Sequence, residues 1–228
     1  MDSSWQRSRK RSSSSSADQS HGFKKVSKLR ANLTLDSLYT SILQEAFGDG
    51  DPEDDPNVRS ILGAVVLAVN TLSPSSIAAL LDLDPDAVFL LLSSMHLLLV
   101  LRDDIDNPVQ PFHKSFSDFI VDPVRCVNQR FRISPSDQHA QVVVGCLELM
   151  NRTLKKYMCH LPEAIANSDI DDMAERIEEY INPALRYACR SWHVHFIHGH
   201  ATSIFIPKFT ATLHKFLETE EYSASSAP

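Results

Sequence analysis

The stretch Val109–Val121, V-Q-P-F-H-K-S-F-S-D-F-I-V, reads as a strand running straight into a capped helix. Val109 and Phe112 suit a pleated surface. Ser115-x-x-Asp118 has the spacing of a capping box, in which two side chains satisfy the first free amides of a helix. The helix it would open carries Phe116, Phe119 and Ile120, and has to stop ahead of Pro123, whose ring disfavours helical backbone in the residue before it. Phe116 and Phe119 lie three apart on one face and are expected in the core. His113 stands at the junction of strand and helix.

Upstream, Leu97–Leu101 is a second apolar strand, and the polar turn Asp103–Pro108 joins the two strands as a hairpin or wing. Three helices precede it. Val58–Val69 is nearly all apolar, as in a helix packed on more than one side. Ser73-Pro74 supplies an N-cap and a first-turn proline to a helix that buries Ile77, Leu80 and Leu81. Asp84-Pro85 repeats the device ahead of a stripe of Val88, Leu91, Leu92 and Met95. Earlier still, Leu35, Leu38, Tyr39, Ile42, Leu43, Ala46 and Phe47 follow helical spacing, with Gly48 placed to end the helix. The acidic run Asp49–Asn57 reads as a linker rather than a calcium loop, because Asp54 falls where the turn glycine belongs and no Glu closes the loop.

Downstream the pattern is helical. Ser134-Pro135 opens a long helix striped by Val143, Cys146, Leu147, Met150, Leu154, Tyr157 and Met158, ending at Leu161-Pro162. Ile170, Met173, Ile177, Tyr180 and Ile181 mark the next. Asn182-Pro183 caps a third, whose Leu185, Ala188, Cys189, Trp192 and Phe196 run to Gly199 and put Trp192 in the interior. The last starts near Pro207 and carries Phe209, Leu213, Phe216 and Leu217. The expected fold is mainly α: a winged helix with a small two-stranded wing over residues 34–130, then a helical bundle over 131–220. Residues 1–33 and 221–228 are expected to be disordered tails. The first is Ser-rich and basic, with too few apolar side chains to offset backbone ordering at about 1–2 kcal/mol per residue.

The order of elements, ending in F-H-K-S-F-S-D-F-I at Phe112–Ile120, resembles the winged-helix segment that follows the NACHT nucleotide-binding domain in fungal NLR-like proteins. Leu35–Phe47 resembles the family's lead-in to that segment, and Asn182–His193 the helices leading to its repeat sensor. The resemblance implies the middle part of a signalling switch whose protein partner is a NACHT NTPase module. In that family the histidine at the strand-to-helix junction contacts the β-phosphate of bound ADP in the closed state. That role carries over to His113 alone, and only with a partner NACHT domain.

Composition bounds the rest. With 228 residues and 43% apolar content the chain can bury a real core. The longest apolar candidate, Ala87–Leu101, is interrupted by Ser93, Ser94 and His96, and the N-terminus has no signal-peptide core, so no membrane partner and a cytoplasmic location are expected. The patch Arg7-Ser-Arg-Lys-Arg11 would suit nuclear import or nucleic acid. Cys126, Cys146, Cys159 and Cys189 form no C-x-x-C pair and are expected as buried thiols.

Enzyme chemistry is missing. None of the six glycines precedes Lys, which removes the phosphate-cradling P-loop, and no G-x-S-x-G elbow occurs. The expectation is a non-enzymatic protein-interaction module with no cofactor of its own. A DNA-reading winged helix needs Arg or Lys on the helix at Asp86–Met95, yet none occurs between Arg59 and Arg102. Nucleic-acid binding would therefore fall to the basic N-terminal tail, the alternative function. The His-rich run Trp192–His200 is no expected metal site. On a helix, Cys189 and His193 share one face while His195 and His198 lie on another.

Overall fold

In the computed structural model the described residues are 34–48, 56–155, 158–161, 170–199 and 205–224. The basic tail 1–33, most of the acidic run at 49–55, and residues 225–228 lie outside them, as do the expectations attached to those segments. The described chain is mainly helical, with one small antiparallel sheet. In order come α1 (34–47), α2 (Pro56–Leu67), α3 (Pro74–Leu81), α4 (Pro85–Ser93), β1 (Leu99–Val100), β2 (Gln110–Pro111), α5 (Lys114–Ile120), α6 (Pro135–Thr153), α7 (Met173–Tyr180), α8 (Pro183–His198) and α9 (Phe205–Ala224).

The helix boundaries have local causes. Gly48 closes α1 at φ 68°, a conformation that glycine adopts without strain, and its N–H reaches the Gln44 carbonyl at 2.7 Å. The Ser73 hydroxyl accepts the Ser76 N–H at 3.2 Å, Asp84 accepts the Ala87 N–H at 2.8 Å, and Asn182 accepts the Leu185 N–H at 2.8 Å. Each of these caps is followed by proline at the first helical position, where its missing N–H costs nothing.

The hairpin is shorter than its sequence suggests. Leu99 pairs with Pro111 and Val100 with Gln110, while Val109 makes a separate bridge to Leu72. Leu97 and Leu98 are used up in the turn that leaves α4, where the Leu98 and Leu99 amides both bond the Met95 carbonyl, at 2.8 and 3.0 Å. Pro111 has no N–H to extend the ladder.

A single apolar core unites the elements before and after residue 130. Leu43, Ile61, Leu62, Ile77, Leu92, Met95, Phe116, Phe119, Ile120, Phe131, Leu147 and Leu185 are all fully buried within it. Each such side chain contributes on the order of 1.5–3 kcal/mol. Helix α6 is the common wall, lying against α2, α3, α8 and α9. Gly145 permits its approach to α3, since a Cβ there would sit 2.2 Å from the Leu80 carbonyl oxygen. Arg125 in turn holds the loop after α5 to α1 through Asp36, N to O 2.6 Å.

Four expectations of the C-terminal half change. Helix α6 stops at Thr153, two turns before Leu161-Pro162, where Leu154 turns to extended backbone at ψ 131°; beside that end Asn151 donates to the Thr212 carbonyl and Arg152 to that of Ala79. Apolar spacing does not encode such bonds. Helix α7 spans Met173–Tyr180, shorter than the Ile170–Ile181 spacing that marks it in the sequence. Cys189 is exposed, unlike Cys126, Cys146 and Cys159. Helix α9 runs to Ala224, into the segment read as a disordered tail.

Candidate functional site

His113 is the last residue before α5, with extended backbone at φ −141° and ψ 138°. Its Nδ1 accepts the Ser115 N–H at 3.1 Å, so His113 is the N-cap of the helix. Ser115 was expected in that role. It is instead the second helical residue, and the Ser115/Asp118 capping box does not form; Asp118 is exposed one turn on. The helix begins two residues too early for Ser115 to cap it, and an imidazole nitrogen accepts the amide as a carboxylate would.

The Ser115 hydroxyl does something else. It lies 2.7 Å from His113 Nδ1 and 2.5 Å from the Tyr39 hydroxyl on α1. Because Nδ1 takes a backbone N–H it holds no proton of its own, and the neutral ring carries its hydrogen on Nε2. The donations then run from Tyr39 to Ser115 to His113. The Tyr39 ring is wedged against Phe116 and Phe119 at centroid distances of 5.5 and 5.4 Å, and both phenylalanines are 1% exposed. A buried aromatic platform thus fixes an exposed imidazole whose Nε2–H has no partner among the described residues. Phe112 beside it is 74% exposed rather than packed on a pleat. The arrangement offers one oriented donor next to an apolar surface.

A second histidine cluster escaped the sequence reading. The buried stripe of α8 is Ala184, Leu185, Tyr187, Ala188, Ser191 and His195, while Trp192 is half-buried and Phe196 exposed. His195 is fully buried. Its Nε2 lies 2.6 Å from the Tyr187 hydroxyl and its Nδ1 2.7 Å from Nδ1 of His139 on α6. Tyr187 also accepts the Val69 N–H just past α2, at 3.2 Å. Burial pushes the Tyr187 hydroxyl up to about 12, which keeps it a donor. Hydropathy ranks Ser and His as polar and so steers the stripe toward Trp192 and Phe196. Counting from Leu185 and Ala188 in steps of three and four would have reached Ser191 and His195.

The other candidates do not converge. Cys189 and His193 are exposed on α8, and among the described residues no group of three His, Cys, Asp or Glu side chains is placed to hold a metal ion. Helix α4 presents Asp84, Asp86 and Leu90 to solvent. Among the described residues no helix is long and apolar enough to cross a membrane. No protein-family model, no curated protein and no solved structure matches the chain.

Proposed function

We propose that the chain is a non-enzymatic protein-interaction module, with α2–α4, the β1–β2 hairpin and α5 forming a winged helix that docks a partner through the face around His113. The observation that carries this reading is the exposed Nε2–H of His113, held in one tautomer by the cap and flanked by an exposed phenyl ring at Phe112. The partner suggested by the resemblance is a NACHT NTPase module with bound ADP, to whose phosphate His113 would add one hydrogen bond. The acidic exposed start of α4 supports a protein rather than a nucleic-acid partner.

Such a bond contributes about 1.5–3 kcal/mol, whereas micromolar affinity requires roughly 8 kcal/mol. The chain alone should therefore show no measurable ADP binding in calorimetry and no ATPase activity. With a separately supplied NACHT module, docking should depend on ADP and weaken about ten- to hundredfold in His113→Asn. Asn keeps the N-cap and removes the reach of Nε2. Micromolar ADP binding by the isolated chain, or ADP-dependent docking left intact by His113→Asn, would overturn the reading.

A further inference from the structure

His139 and His195 meet where α6 crosses α8, with their Nδ1 atoms 2.7 Å apart. At that separation one proton lies between the two nitrogens. We propose that this pair is a proton-operated latch: sharing one proton it holds α8 on α6, and taking up a second proton releases it.

The hydrogen bookkeeping leaves one arrangement with every buried group satisfied. Tyr187 accepts the Val69 N–H and donates to His195 Nε2; His195 donates from Nδ1 to His139 Nδ1; His139, a half-buried residue, keeps its hydrogen on Nε2. The reverse order turns His195 Nε2–H onto the Tyr187 oxygen and strands the phenolic hydrogen, which has no other acceptor among the described residues. A second proton has no good place. On His195 it would sit at Nε2 and force that same reversal at Tyr187. On His139 it would set N–H against N–H across 2.7 Å.

Nothing nearby compensates the charge. The titratable groups acting on His195 are His139 from α6 and His198 from α8, and Tyr187 is bonded to it directly; Cys146 of α6 acts on Tyr187. None is a carboxylate. From α2 the contribution is an amide, Val69 N–H, which already points its positive end at Tyr187. Burial, then the charges of His139 and His198, bring His195 down from 6.5 to about 4, and burial followed by His198 lowers His139 too. The sign follows. A histidine with its pKa depressed by folding contributes stability fully above about pH 6.5, and that contribution is lost as pH falls toward about 4. At about pH 4 the free arrangement of His195 is favoured roughly 150-fold more over the latched one than at neutral pH.

The test is equilibrium unfolding of the full chain between about pH 7.5 and 4.5, with zinc chloride titrated by calorimetry at the upper end. Wild type should lose stability steeply below about pH 6.5; His139→Gln leaves His195 buried but removes the second imidazole, so it should lose part of that pH dependence over the same window. His195→Phe should flatten the profile as well; if it does not fold, wild type and His139→Gln still decide. Equal pH dependence in wild type and His139→Gln overturns the latch. So does one-to-one zinc binding that His139→Gln abolishes, because the lone pairs would then serve a metal rather than a shared proton.

Discussion

Tyr39, Ser115 and His113 form one chain of hydroxyl and imidazole groups, and Tyr187, His195 and His139 form another, yet His113 of the first is exposed while His195 of the second is fully buried. Both histidines have one ring nitrogen committed to the protein. In the first the committed atom is Nδ1, held by the start of a helix, so Nε2 faces outward and is free to recognise something. In the second both nitrogens are committed, so the ring can only join elements, here α6, α8 and the end of α2. What separates the exposed histidine from the fastening one is thus the fate of the second nitrogen, not the presence of a tyrosine.

The largest break in this comparison should come from the platform beneath the exposed chain. Phe119→Ala or Phe116→Ala removes a fully buried ring that supports Tyr39 and should cost about 3–5 kcal/mol in chemical denaturation. An unchanged midpoint would mean that the exposed chain does not depend on the core beneath it. Next comes Tyr187→Phe, which leaves the Val69 N–H and His195 Nε2 without their shared partner and should cost about 1–3 kcal/mol. Tyr39→Phe, at a partly buried bond, should cost less, on the order of 1 kcal/mol. Equal losses would erase the distinction between the two chains. The smallest effect separates the cap from recognition: His113→Ala should cost about 1 kcal/mol and His113→Asn only a few tenths. Thermal unfolding of the two variants reads the difference, and equal losses would show that Nδ1 does not cap α5.

The exposed site was more legible in the sequence than the buried one. Pro74, Pro85, Pro135 and Pro183 announce helix starts because proline at the first helical position is chemically restricted, and Gly48 announces an end for the same kind of reason. Phe116, Phe119 and Ile120 announce burial by their spacing. His113 was found by position, but its capping role displaced the one assigned to Ser115, since a short-range motif does not say where the strand lets the helix begin. His195 was passed over because hydropathy favours Trp192 and Phe196 over a polar ring, and because the partners that satisfy it include His139 on another helix. Likewise the bonds from Asn151 and Arg152 to α9 and α3 leave no mark in the apolar spacing of α6. Local propensity is written along the chain; satisfaction of buried polar groups is written across it.

The most direct test of the two chains is the protonation state of their imidazole nitrogens, read for all histidines at once in a long-range proton–nitrogen correlation spectrum of the full chain near neutral pH. The hydrogen should sit on Nε2 in His113 and in His139, and on Nδ1 in His195. Hydrogen on Nδ1 of His113 would remove the cap and its outward donor together, and hydrogen on Nε2 of His195 would reverse the buried chain and contradict the contrast between the two.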